Sequence, residues 1–122
     1  MRLVITLLLL IVSAPVRAEW VDLGTSPSAT WYIDRATIRK ETHLRKAWVL
    51  NDLKQRAPDG HLSRRGFYEF DCKDGRMRVL TMYSYSGQMA QGKGLKYENS
   101  DVWVHVAPGT ANGTLLGYAC AQ

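Results

Sequence analysis

Cys72 and Cys120 are the side chains with the most defined chemistry in this 122-residue sequence, which has no other cysteine. They could form a disulfide or contribute to a metal site. A structural zinc ion takes four ligands, and His43, His61 and His105 show no HxH or HExxH spacing that would complete the set. In a small exported domain an even number of cysteines indicates a disulfide. We therefore expect a Cys72–Cys120 bridge, with no metal and no other cofactor.

Two other motifs suggest catalysis or nucleotide binding only at first sight. Residues 87–93 (GQMAQGK) begin like a phosphate-binding loop, but Gly94 stands where a Ser or Thr would hold magnesium. Glu69 and Asp71 would be neighbours on one strand face, as paired acid–base carboxylates can be. The apolar residues beside them predict instead that Glu69 faces solvent. No G-x-S-x-G nucleophile motif is present, and we expect a protein that is not an enzyme and has no catalytic residues.

Positive charge is concentrated in the middle of the sequence, where residues 35–78 contain twelve Lys or Arg and six Asp or Glu. This asymmetry favours anionic partners such as sulfated glycans, lipopolysaccharide phosphates or acidic proteins. The simpler explanation is an ordinary solvated basic surface. Nucleic acid is not expected, because no binding motif accompanies the charge. Around the Pro58-Asp59-Gly60 turn, exposed basic residues are candidate partner contacts: Lys54, Arg56, Arg64 and Arg65.

The N-terminus has the features of a secretory signal peptide. Arg2 precedes a ten-residue apolar run over 3–12, and small residues follow up to Ala18. A membrane span needs about 20 apolar residues, so the run predicts export and no transmembrane segment. We expect residues 1–18 to be the signal peptide and residues 19–122 to form a single domain. No lipid-anchor cysteine lies near the cut, and the mature protein is expected in the periplasm, at the cell surface or secreted.

Alternating apolar residues predict strands in the rest of the chain. The alternation is clear around residues 31–34, 44–50, 68–72, 77–85 and 102–106. Asp74-Gly75 indicates a hairpin, and Thr110 is placed to cap a helix over 111–120. The predicted fold is α+β: an antiparallel sheet of about five or six strands, with a short C-terminal helix tied to the sheet by the disulfide. An open sheet has edges, which a homodimer could cover.

A series of short motifs also runs through the chain. They are Trp31-Tyr32-Ile33-Asp34 with Thr37-Ile38, a strand centred on Trp48, Phe70-Asp71-Cys72, Trp103, and Pro108-Gly109-Thr110 followed by Cys120. Together they resemble the bacterial surface-adhesin protein E family over roughly residues 20–120. The resemblance implies an antiparallel sheet with a C-terminal helix tied back by a disulfide. It also implies a surface protein that adheres to host extracellular proteins such as vitronectin and laminin. The matching positions are fold positions, so no ligand contact is carried over.

These observations predict an exported, non-enzymatic binding domain. Its expected function is adhesion to a host extracellular matrix protein or to an anionic glycan. The alternative is a periplasmic inhibitor or an envelope-stress protein, because small β-domains with two cysteines are suited to both functions. Inhibition assays with lysozyme and proteases would separate the two classes.

Overall fold

Within residues 2–11 and 17–122, which the computed structural model describes, the chain forms one antiparallel sheet of eight strands and one α-helix. In chain order the elements are β1 (Trp20–Thr25), β2 (Ala29–Asp34), β3 (Arg39–Glu41), β4 (Leu44–Leu53), β5 (Ser63–Asp71), β6 (Arg76–Tyr85), β7 (Gly94–Asn99), β8 (Val104–His105) and α1 (Ala111–Cys120). Across the sheet the order is β1-β2-β4-β5-β6-β7, with β3 paired to β4 and β8 to β6. The predicted α+β class and antiparallel sheet are confirmed.

The sheet has more strands than the five or six expected. The additional ones are β1, β3 and β7. β3 consists of three charged residues, and it is a strand because the long β4 leaves backbone groups free beside it. β1 and β7 are the two edge strands, where burial imposes little apolar patterning. The strand expected over 102–106 is limited to Val104–His105. The residues before Val104 do not pair with β6, and the Trp103 ring lies against the guanidinium groups of Arg76 and Arg78.

One face of the sheet carries the core, and α1 packs against it over β1, β4 and β5. Alternation along β4 points Ala47 and Val49 to this face and Trp48 to the other. The buried cluster consists of Ile33, Ala47, Val49, Tyr68, Phe70, Met77, Val106, Leu115 and Ala119. Leu115 and Ala119 are one helical turn apart, so a single side of α1 meets the sheet. This packing holds a helix whose two glycines give it little stability of its own.

The helix begins at the residue predicted to cap it. The Thr110 hydroxyl accepts a hydrogen bond of 3.1 Å from the N–H of Gly113. Gly113 lies against the preceding loop, where a Cβ would come within 2.9 Å of the Ala107 carbonyl oxygen. A Cβ on Gly117 would meet no atom within 4 Å. Close packing therefore requires glycine at position 113 and does not require it at position 117.

Cys72 and Cys120 form the predicted disulfide, with their Cα atoms 5.7 Å apart. Cys72 directly follows β5 and Cys120 is the last residue of α1, so the bond ties the end of the helix to the sheet. The predicted hairpin between β5 and β6 is also present. Its Gly75 has a φ of +62°, and its N–H donates to the Asp71 carbonyl oxygen at 3.0 Å.

The sheet starts directly after the predicted signal peptide. Glu19 donates its backbone N–H to Oδ1 of the buried Asp34 at 2.9 Å. The same oxygen accepts the N–H of Ala36 at 3.1 Å and so caps a 3-10 turn over Arg35–Thr37. Asp34, the turn aspartate of the sequence motif, therefore organises both the first residue before β1 and the turn after β2.

The predicted signal peptide is only partly described. Residues 1 and 12–16 lie outside the described residues, and cleavage after Ala18 stays a prediction. Residues 2–11 are exposed and lie in neither a helix nor a strand. In the described ranges, none of the helices is long and apolar enough to cross a membrane.

Candidate binding face

The sheet face opposite α1 carries a row of aromatic side chains from four neighbouring strands. Trp48 on β4 pairs with Phe67 on β5, and Tyr83 on β6 pairs with Tyr97 on β7. The ring centroids are 5.2 Å apart for Trp48–Phe67, 6.2 Å for Trp48–Tyr83 and 5.0 Å for Tyr83–Tyr97. We call these four residues the aromatic row. Three are half-buried and Tyr97 is 55% exposed, so the row presents its rings to solvent.

Strand register alone brings these rings together. Residues directly opposite each other in antiparallel strands point to the same side of the sheet. Aromatic pairs at these separations contribute about 0.5–1.5 kcal/mol each beyond their buried area. The strand registers and the ring contacts therefore fix the positions of the four rings.

Arg65 places a positive charge within the aromatic row. It pairs with Tyr83 across β5 and β6. Its guanidinium carbon lies 4.6 Å from the ring centroid of Trp48 and 5.8 Å from that of Tyr83, contacts worth about 0.5–2 kcal/mol. Among the described residues Arg65 forms no salt bridge. Its charge is oriented by aromatic rings and is not neutralised by a carboxylate.

Beside the row, Glu69 joins two basic side chains on the same face. Its side chain is only 3% exposed. Arg78 donates from Nε to Oε1 at 2.7 Å, and Nζ of Lys46 lies 3.7 Å from Oε2. The prediction that Glu69 faces solvent is wrong. The residue does lie on the face opposite the core, but the stems of its basic neighbours cover it, and Trp103 stacks 4.5 Å from Arg78.

Asp71 forms a second buried pair where β5 ends. Arg76 donates from Nε to Oδ2 at 2.9 Å, and the backbone N–H groups of Lys73 and Asp74 donate to Oδ1 at 3.1 Å. The hydrogen bond from Arg76 holds the pKa of Asp71 below its usual range. Desolvation opposes this effect, and the two backbone hydrogen bonds reinforce it. With these partners Asp71 holds the β5–β6 hairpin.

The loop between β6 and β7 closes the other end of the face. Ser63 donates its hydroxyl to the Gly87 carbonyl oxygen at 2.6 Å and accepts the N–H of Ala90 at 2.9 Å. Asp52 accepts the N–H of Met89 at 2.8 Å. The glycine-rich segment 87–93 is therefore a loop between strands, as predicted, and these backbone groups bind the sheet.

The sheet separates the four predicted contact residues. Arg65 joins the aromatic row, whereas its neighbour Arg64 points to the opposite face, with Nη2 at 3.9 Å from Oδ2 of Asp59. Lys54 is exposed just after β4. Arg56 donates hydrogen bonds of 2.7 and 2.9 Å to two loop carbonyl oxygens. The four residues thus occupy distinct surfaces, and only Arg65 lies in the aromatic row.

Sequence reasoning did not assign the aromatic row to function. Its only signal was the recurrence of aromatic residues at alternating positions of predicted strands, such as Trp48 and Tyr83. Tyr97 lies in a strand that was not predicted, and the register that unites the four rings depends on loops of unequal length.

The segment from residue 20 to residue 121 matches the profile of surface-adhesin protein E. The chain belongs to the surface-adhesin protein E family. One crystal form of Haemophilus influenzae protein E has a TM-score of 0.67 and 16% sequence identity, over 88% of this chain and 91% of that one. Its selenomethionine form has a TM-score of 0.68 and 14% identity, over 88% and 89% of the two chains. No curated protein matches the sequence.

Family membership makes the chain an adhesin-like surface protein and confirms the resemblance noted from the sequence. It implies export or a surface location, host surface partners, and a binding rather than an enzymatic role. The solved structures share the fold, and at 14–16% identity they show only that.

Proposed function

We propose that the chain is an exported adhesin domain that binds a host extracellular matrix protein through the aromatic row and Arg65. The observation that carries the proposal is the unneutralised guanidinium of Arg65 stacked 4.6 Å from Trp48 on the open sheet face. Family membership supports the adhesive role. The arrangement supports this face over the other one, which α1 covers along β1, β4 and β5.

The residue types of this face suit protein recognition. Trp, Tyr and Arg are the residues that most often dominate the binding energy of protein interfaces. Aromatic rings bury much area at a small entropic cost, because few of their torsions need to be fixed. A pre-oriented guanidinium gives a direction to the recognition of a carboxylate or a sulfate. The chemistry that fits the face is an apolar surface with an acidic group.

The decisive experiment compares two adjacent arginines on β5. Arg65→Gln removes the charge from the aromatic row, whereas Arg64→Gln removes the same charge from the opposite face. Both variants are prepared as residues 19–122, without the predicted signal peptide, and are assayed against immobilised laminin and vitronectin by surface plasmon resonance. We expect Arg65→Gln to weaken binding at least tenfold and Arg64→Gln to change it less than threefold. Equal affinity of the two variants for either ligand would contradict the proposal.

A sulfated glycan is the competing ligand chemistry. Heparin is added during the same binding measurement, and salt is raised from 0.05 to 0.5 M. A protein ligand on the aromatic row predicts weak salt dependence and little competition, because much of the contact is apolar. Strong competition by heparin with a steep loss in salt would assign the binding to dispersed basic residues such as Lys54 instead.

Location is tested separately, because the periplasmic inhibitor and the envelope-stress protein are the alternative functions. Intact cells are treated with protease, with a periplasmic protein as the protected control. An adhesin requires digestion of this chain while the control survives. Protection of both proteins would favour a periplasmic role, and inhibition of lysozyme or of proteases would then be the relevant activity.

A further inference from the structure

Asp34 is a buried carboxylate without a cation beside it. The buried carboxylates of the described chain are Asp34, Glu69 and Asp71, and the last two are each paired with an arginine. Asp34 is 5% exposed, and among the described residues it forms no ion pair. Its Oδ1 accepts the backbone N–H groups of Glu19 at 2.9 Å and Ala36 at 3.1 Å. A buried carboxylate is costly unless a cation accompanies it, so the missing partner of Asp34 requires an explanation.

Glu19 is fixed beside Asp34 by its backbone and by its side chain. Its carbonyl oxygen accepts the N–H of Arg35 at 3.0 Å, and its Oε2 lies 3.3 Å from Nη2 of Arg35. Arg17 and Ala18, which precede it, are exposed. Neither takes part in a hydrogen bond or an ion pair between described residues. The contacts of the folded domain therefore begin at residue 19, with its nitrogen against the carboxylate.

We propose that Asp34 is a binding site for the α-ammonium group that removal of the signal peptide creates at Glu19. The inference rests on the predicted cleavage after Ala18. Hydrolysis by a signal peptidase adds one water molecule across the Ala18–Glu19 peptide bond and leaves a carboxylate on Ala18 and an ammonium group on Glu19. The nitrogen that becomes charged is the atom that already donates to Asp34. Cleavage therefore supplies the missing cation without any movement of the chain.

The exchange replaces a neutral hydrogen bond by a charge-assisted one. Hydrogen bonds that involve an ionised donor or acceptor are roughly twice as strong as neutral ones, and here both groups become ionised. Because Asp34 is buried, salt screens this pair less than the exposed pair between Glu19 and Arg35. The processed domain is therefore more stable than its precursor, and the fold distinguishes the two forms of the chain.

A double-mutant cycle measures the pair. The four proteins begin at Glu19 or carry Ala18 as one extra residue, and each start is combined with the wild-type side chain or with Asp34→Asn. The substitution keeps an oxygen that accepts both N–H groups and removes only the charge. We expect Ala18 to raise the equilibrium constant of unfolding, measured in urea, at least fivefold in the wild type and less than twofold with Asp34→Asn. An equal effect of Ala18 in both backgrounds would overturn the proposal.

Asp22→Asn is the matched control for this cycle. Asp22 is an exposed carboxylate on β1 that also accepts a backbone N–H, that of Gly24 at 2.9 Å. The effect of Ala18 on unfolding should be the same with Asp22→Asn as in the wild type. If Asp22→Asn abolished that effect as well, the effect would belong to the general charge of this region and the specific pair would be refuted.

The reactivity of the terminal amine tests the pair in the wild type alone. Acylation requires a neutral amine, so an ammonium group held by Asp34 reacts slowly. Residues 19–122 are treated with trace acetic anhydride in the folded and the urea-unfolded state. Peptide mapping then compares Glu19 with Lys40, an exposed lysine that forms no ion pair among the described residues. We expect Glu19 to be acylated at least fivefold less, relative to Lys40, in the folded protein. Equal relative acylation in the two states would contradict the pair, even if Asp34→Asn does not fold.

The first residue of the exported protein tests the inference in the cell. Mass spectrometry of the N-terminal peptide should show that the chain begins at Glu19. Any other first residue would sink the proposal, because no α-ammonium group would then lie beside Asp34. That result would leave adhesion through the aromatic row unaffected, since the row lies on other strands.

Discussion

Removal of the Cys72–Cys120 disulfide is expected to cost a large share of the stability of this domain. The bond closes a loop with a sequence separation of 48 residues. In the chain-entropy model, releasing a loop of that length lowers the free energy of unfolding by about 4 kcal/mol at 25 °C. Domains of this size typically have about 5–15 kcal/mol in total. The double variant Cys72→Ala/Cys120→Ala leaves no free thiol and is the appropriate perturbation.

Urea unfolding measures this loss. With a denaturant slope of about 2 kcal/mol/M, a loss of about 4 kcal/mol lowers the midpoint by about 2 M. The transition is followed by far-UV circular dichroism for the helix and by tryptophan fluorescence for the sheet. Wild-type protein in the same urea series is the reference. A loss below about 1 kcal/mol would refute the view that the bond acts by restricting the unfolded chain.

The same experiment tests how α1 is coupled to the sheet. Leu115 and Ala119 are fully buried in the cluster that contains Val49 and Phe70. Separation of the helix would expose that core, so the two spectroscopic transitions should coincide in the double variant. A helix signal lost at lower urea than the fluorescence signal would show that the disulfide, and not the core, holds the helix in place.

Three further substitutions test local features of the fold. Gly113→Ala should lower the free energy of unfolding by roughly 1 kcal/mol because of its close approach to the loop, whereas Gly117→Ala should raise it by about 0.5–1 kcal/mol in the same urea assay. Leu115→Ala should cost about 2–5 kcal/mol because it leaves a cavity, and a cost below 1 kcal/mol would contradict its central place in the core. Asp71→Asn should lower stability above about pH 4, and its difference from wild type should shrink at lower pH. The reason is that the lowered pKa of Asp71 makes its contribution depend on the charged form, which is lost as the pH falls through that pKa. A difference constant from pH 7 to pH 2 would refute this role.

The helix and the central strands could be predicted because local sequence and tertiary packing agree there. Thr110 caps α1, Leu115 and Ala119 share one side, and β4 to β6 alternate clearly. β3 shows the limit of such reasoning, because three charged residues form a strand only when β4 lies beside them. Its pairing is decided by the tertiary structure and leaves no local pattern.

The candidate face could be predicted only in part. Arg65 was identified among the basic residues near a turn, but its place beside Trp48 and Tyr83 depends on two strand registers. Glu69 shows the same limit from the opposite direction. The alternation of apolar and polar residues along β5 correctly assigns Glu69 to the face away from the core. The long side chains of Arg78 and Lys46 nevertheless bury it on that face. A strand pattern gives the side on which a residue lies and does not give what covers it.

The most direct test of binding through the aromatic row is nuclear magnetic resonance of the tryptophan indoles during titration with the matrix protein. Trp48 belongs to the row, and Trp31 packs against the core on the opposite face, so it is an internal control. Substoichiometric laminin or vitronectin should broaden the Trp48 indole signal and leave that of Trp31 sharp. Broadening confined to Trp31, or binding that leaves Trp48 unchanged, would contradict the assignment of adhesion to this face.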